Sequence, residues 1–118
     1  LNYTSSLVAL KRFEKARALL RKTIPVARQV LGDNYEDTLK LRWSFAVALY
    51  VDPAATLDGR RESVETLAEI EVIARRVLGG AHPVTAQSGL SLRESRAALS
   101  ARDGVSAVRG ALEAMNAT

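Results

Sequence analysis

The chain has no cysteine. That excludes a disulfide framework, a thiol nucleophile and any cysteine-ligated zinc, and it fits a reducing, cytoplasmic setting. There is a single histidine, His82, so the usual zinc donor sets cannot be assembled and no metal is expected. Aromatic residues make up 5% of 118 residues, with one tryptophan; few rings are available to stack nucleobases. No run of about 18 apolar residues occurs, so no membrane contact through a spanning helix is expected. No nucleophile, base or metal cluster converges in the sequence, which argues against an enzyme and against a cofactor. The chain opens with Leu1 and shows no signal-peptide layout, so a segment of a longer protein is expected.

What is present is ordinary in amount and unusual in order. Hydrophobic residues make up 47% and charged residues 25%, with a net charge of +4, as in a soluble globular domain. The charge is uneven. Residues 1–32 carry seven basic groups against one acid, whereas residues 33–58 carry five acids against two bases. Within this, "ARQVLGDNYEDT" at 27–38 returns as "ARRVLGGAHPVT" at 74–85. Ala27, Arg28, Val30, Leu31, Gly32 and Thr38 recur as Ala74, Arg75, Val77, Leu78, Gly79 and Thr85, at a constant offset of 47 without a gap. A fixed period in the range of about 20–50 residues is the signature of a helical repeat array.

The periodicities around the repeat are helical. In 13–31, Phe13, Ala16, Leu20, Thr23, Ala27 and Leu31 recur every three or four residues, and Gly32 is placed for a left-handed helix end. Pro25 lies within this stretch; the apolar stripe stays in phase across it, so a kink is expected and not a break. Residues 35–51 are apolar nearly all round, interrupted between Leu39 and Val51 only by Lys40, Arg42 and Ser44; such a helix is covered on more than one side. Asn34 with Asp37 suggests a weak cap for it. "DPAAT" at 52–56 is a connector, with Thr56 as N-cap of a helix to about Leu78 whose stripe is Leu67, Ile70, Ile73, Ala74, Val77 and Leu78. Gly79-Gly80 ends it, and Pro83 opens another helix, expected to stop at Asp103-Gly104. A short last helix near 105–116 would form a partial cap, and the first ten residues read as the end of a preceding helix. The expected fold is all-α, a right-handed stack of antiparallel helical hairpins: about two repeats over 1–102, then 103–118.

The phrase at 74–85 resembles the tetratricopeptide repeats of kinesin light chains, whose second helix ends in a pattern like A-R-x-V-L-G-x-x-H-P-x-T. It matches every fixed position; residues 27–38 match except at Tyr35 and Glu36. "RFEKARALL" at 12–20 is similar to the family's opening of that helix, with Ala16 at the small position where paired helices touch. The period of 47 exceeds the usual repeat of about 34, Pro25 interrupts a helix the family leaves intact, and Trp43-Ser44 stands where groove asparagines are common. The resemblance implies a scaffold that binds a peptide or protein partner along a concave face, and it places Lys40, Trp43 and Val47 at groove positions.

Other constellations were weighed against plainer readings. Lys11, Arg12, Lys15, Arg17, Arg21, Lys22 and Arg28 could track phosphates of nucleic acid or an acidic surface, but no aromatic interleaves with them, and a solvated outer helix is the simpler expectation. His82 reads as a helix-entry residue before Pro83. Glu62, Glu65 and Glu69 share a helix face and read as solvated; Glu71 and Arg75 form an i, i+4 pair. Trp43 fits a core position or a groove position. A structural spacer in a larger array is a further alternative, and exposed apolar edges of a short array suggest self-association.

Overall fold

Every element of the chain is helical because its apolar periodicity is helical. The computed structural model describes residues 3–52 and 55–117; the side chains of residues 3–10 and 102–107 lie outside that description. Among the described residues four helices follow in order: α1 (Tyr3–Val30), α2 (Glu36–Val51), α3 (Leu57–Val77) and α4 (Pro83–Asn116). No strand occurs among the described residues. Successive helices pack on each other, and α2 also packs on α4, whereas among the described residues α1 and α3 do not pack directly together. The all-round apolar character of α2 is thereby explained: α1, α3 and α4 cover it on three sides.

Two boundaries differ from expectation. The first ten residues are not a separate helix. From Tyr3 onward they are the opening turns of α1, because nothing between Leu10 and Phe13 breaks a helix and Lys11 and Arg12 favour one. Pro25 lies inside α1, and the helix continues to Val30. Nor does Asp103-Gly104 end α4, which runs unbroken from Pro83 to Asn116. A single interior glycine costs about 1 kcal/mol, less than stopping a helix and nucleating a new one.

The repeated phrase folds as a repeated turn. Gly32 and Gly79 have φ of 94° and 93°, the only positive values among the described residues. Leu31 and Gly32 donate to the Ala27 carbonyl, as Leu78 and Gly79 donate to that of Ala74. Tyr35 N–H then bonds the Gly32 carbonyl, and His82 N–H the Gly79 carbonyl. The recurring threonines tie each turn shut: Thr38 Oγ1 donates to the Ala27 carbonyl and Thr85 Oγ1 to that of Gly79. A Cβ added at either glycine would meet nothing within 4 Å, so Gly32→Ala and Gly79→Ala isolate the backbone cost. Each should lose about 1–2 kcal/mol by chemical denaturation. A neutral result at both sites would mean that the turns relax without consequence.

The helix starts are less symmetric. Thr56 caps α3 by accepting from Gly59 N–H at 3.0 Å, and His82 caps α4 by accepting at Nδ1 from Val84 N–H at 3.1 Å. Asn34 does not cap α2. The turn sets the N-cap one residue later, at Tyr35, whose side chain makes no capping bond; Glu36 and Asp37 in the first turn offset that loss through the helix dipole.

The core lies where α3 sits against α2 and α4. One cluster joins Leu39, Ile70, Ala74 and Val84, a second Ala46, Tyr50, Leu67 and Leu92. A seam of small residues lets these helices approach: Ser63 Oγ donates to the Ala46 carbonyl at 2.7 Å, and Ser95 Oγ to Ser63 Oγ at 2.9 Å. Ala16, one period before buried Ser63, is exposed. Leu19, Val26 and Val30 are 65%, 58% and 73% exposed on α1, and Val108, Leu112 and Met115 are 61%, 53% and 71% exposed on α4. The apolar residues Leu7, Val8, Leu10 and Val105, near the two ends of the sequence, lie outside the described side chains.

Tyr50 links α2 to α4 through its hydroxyl, which donates to Glu94 Oε2 at 2.8 Å. Burial first, and then the neighbouring Glu94, push its phenol above the ordinary value of 10.0. The neutral form is therefore preferred in the fold. Its stabilisation is complete below about pH 10 and is lost as the pH rises through the raised value. Tyr50→Phe should remove this part of the alkaline loss and cost about 1–2 kcal/mol at neutral pH. Identical pH–stability curves for both chains above pH 9 would refute the assignment.

Candidate functional site

Lys40, Trp43 and Ser44 lie on successive turns of α2, and Val84 and Gln87 on the first turns of α4. Together they line a cavity of 220 Å³, with no residue of α1 or α3 among the described lining residues. Trp43 explains why the cavity holds its shape. Its ring is half-buried and packs against both core clusters, and its Nε1 donates to Ser91 Oγ at 3.1 Å. It is thus partly core and partly cavity wall. Lys40 is exposed, with Nζ 3.5 Å from Glu36 Oε1. Ser44 Oγ is turned back to the Lys40 carbonyl at 3.0 Å. Val47, the third residue placed by the resemblance, does not line this cavity; it packs against the Ala46–Leu67–Leu92 cluster.

The mouth of the cavity lies near a bridge between the two repeated turns. His82 Nδ1 accepts the capping bond, so the proton of the neutral ring is on Nε2, which lies 3.3 Å from Glu36 Oε1. Glu36 therefore receives both Lys40 and His82. The lining combines the apolar Trp43 and Val84 with the ammonium group of Lys40 and the amide of Gln87. Such a surface suits an apolar side chain with polar groups beside it.

The basic helix is organised differently from a solvated face. Lys11, Arg12, Lys15 and Lys22 are exposed, whereas Arg17 and Arg21 reach α2 or its end and Arg28 reaches the turn before it. Arg17 Nη1 donates to Asp52 Oδ2 at 2.6 Å, and Asp52 is only 4% exposed. The Arg21 guanidinium lies 4.8 Å from the centre of the Phe45 ring. Arg28 Nε donates to Asp33 Oδ1 at 2.6 Å. That bond holds the Asp33 carboxyl below its usual range and raises Arg28 further above its own. Arg42 on α2 is 7% exposed, with Nη2 3.1 Å from Glu69 Oε2. Glu69 is thus an ion-pair partner and not a free member of an acidic face, and Glu71 pairs with Arg75 at 3.0 Å. Sequence reasoning did not find the roles of Arg42 and Asp52. Their only signal was a charge at a position whose helical neighbours are apolar.

Among the described residues no three His, Asp or Glu side chains gather as a metal site would require, and no helix is long and apolar enough to cross a membrane. No family model matches the chain, and neither the curated proteins nor the solved structures contain a match to it.

Proposed function

We propose that the chain is part of a tetratricopeptide-like, right-handed stack of hairpins of the kinesin light chain type, acting in the cytoplasm as a noncatalytic scaffold for a peptide or protein partner. In this reading α2 and α4 are the first helices of successive hairpins and form the inner, concave layer. The support for it is the repeated glycine turn at an offset of 47, together with direct packing of α2 on α4 and the lack of it between α1 and α3. The observation that carries the binding role is the cavity between α2 and α4, where Lys40 and Trp43 meet Val84 and Gln87. A partly desolvated aromatic with polar groups around it is the usual anchor of a peptide interface.

Trp43 is the only tryptophan, so its fluorescence reports occupancy directly. Peptides selected from a random library on the full chain should shift Trp43 emission and should bind about tenfold more weakly to Lys40→Glu, the loss of a charged contact of about 1.4 kcal/mol. Arg76→Glu, an exposed change on α3, should leave them unaffected. Trp43→Ala should abolish binding, with a melting curve recorded to separate lost contact from lost fold. Selected peptides that bind all variants alike, without a change in emission, would end the groove reading.

A further inference from the structure

The side of the molecule away from that cavity carries a second concavity, of 280 Å³, whose walls are α1 and α3 and whose floor is α2. Its residues include Arg21, Arg28, Arg42, Phe45, Glu62 and Pro25. Three guanidinium groups from two helices thus border one cleft, and each has donors to spare. Arg42 uses Nη2 for Glu69, while its Nη1 has no hydrogen-bond partner among the described residues and is covered from solvent, so an incoming acceptor meets it only once the guanidinium turns into the cleft. Arg28 engages Asp33 through Nε, leaving its terminal amino groups unbonded among the described residues. Arg21 rests on the Phe45 ring and makes no ion pair among them. A buried, unpartnered guanidinium nitrogen costs desolvation energy unless something accepts from it.

We infer that this cleft is a binding site for a phosphate monoester. Asp33 and Glu69 each satisfy one nitrogen, and the remaining donors outnumber what a two-oxygen carboxylate can accept. A phosphate monoester supplies three terminal oxygens and close to two negative charges, and planar guanidinium groups meet phosphate oxygens with paired, charge-assisted bonds. Phe45 and Pro25 form the apolar part of the lining, suited to the ester's organic group. The volume is near the lower limit of small-molecule sites, about 300 Å³, which restricts the ligand to a small ester or a single phosphorylated side chain. Glu62 is the acid on the cleft wall, and its carboxylate opposes the incoming charge.

The test is a titration of the full chain, at constant ionic strength, followed by nitrogen-15 NMR of backbone and arginine side chains. The probes are inorganic phosphate, phenyl phosphate, acetate, and an alanine-flanked phosphotyrosine pentapeptide. Saturable shifts of the Arg21, Arg28 and Arg42 side-chain signals are expected with the three phosphates, tightest with the esters. Arg21→Gln and Arg28→Gln should each weaken phenyl phosphate about tenfold or more, and both residues are exposed enough to change without unfolding the chain. Glu62→Gln should tighten it severalfold, a gain that a purely structural role would not produce. Arg75→Gln, in a separate concavity beside α4, should have no effect. A pentapeptide that binds tighter than phenyl phosphate identifies a phosphorylated segment as the source, and equal affinity identifies a free small ester. Acetate binding as tightly as phosphate, shifts that do not saturate, or shifts unchanged in Arg21→Gln and Arg28→Gln would overturn the assignment.

Discussion

Leu67→Ala should remove about 2–5 kcal/mol of stability. Leu67 is fully buried at the middle of α3, against Ala46, Tyr50 and Leu92 from the two helices on either side. Deleting three carbons there loses their transfer energy and leaves a void that helices held by serine–carbonyl and serine–serine bonds on the same seam cannot close. Small domains have about 5–15 kcal/mol in total, so the loss is a large share. Val72→Ala, on the exposed side of the same helix, should stay within about 0.5 kcal/mol of the parent. Urea titrations of both variants decide the matter: a shifted midpoint with an unchanged slope for Leu67→Ala, and no shift for Val72→Ala. Similar midpoints for the two would mean that the junction of α2, α3 and α4 is not the centre of the core.

The second large effect is electrostatic. Arg17→Ala should cost about 1.5–3 kcal/mol, the range for hydrogen bonds to charged groups. Asp52 lies at the end of α2, almost wholly buried, and accepts from Arg17 at 2.6 Å. Arg17 keeps partial contact with water, which places the cost in the lower half of that range. Truncating Arg17 deprives a desolvated carboxylate of this guanidinium, whereas Arg17→Lys keeps the charge but loses the planar fork and should recover only part. The Arg28–Asp33 pair, with both side chains about half exposed, serves as contrast: Arg28→Ala should be almost silent, because water and salt screen it. A salt series sharpens the distinction, since the buried pair should persist where the exposed one is screened. Equal, small effects for both arginines would show that Asp52 is well solvated.

These two sites mark the line between what the sequence discloses and what it hides. Gly32 and Gly79 were legible because only glycine adopts a φ near +90° without strain, so the backbone requirement appears as a residue type. Thr56 and Pro83 were legible for a similar local reason. The multiple cover of α2 followed from its composition alone. Arg42 and Asp52 were not legible, because a charged residue is exposed unless a partner reaches it, and their partners lie on other helices, Glu69 on α3 and Arg17 on α1. Helical geometry sets Lys11, Lys15 and Lys22 on one side of α1 and Arg17, Arg21 and Arg28 on another, yet which of the two meets α2 depends on packing. Ala16 was assigned to a close contact by its register, and register does not say whether a neighbouring helix is present. Lys40 and Trp43 meet at one cavity with two residues of α4 that no local pattern joined to them, and Val47 turned inward instead.

The uninterrupted course of α4 has a consequence for hydrogen exchange. At about 1.5 Å per residue its 34 residues extend roughly 50 Å, close to the 56 Å length of the whole molecule. Its first half shares the core, through buried Val84, Leu92 and Ser95. Its last residues, from Val108 through Asn116, are exposed, so little burial supports their backbone bonds over a length that is marginal for an isolated helix. The edge of the cooperative unit therefore falls inside a helix, at no loop, turn or change of backbone conformation. Amides of the first half are coupled to global opening, and those of the last turns open by fraying. Protection along α4 should decline by orders of magnitude while φ and ψ stay constant, so that the same secondary structure belongs to two different thermodynamic regimes.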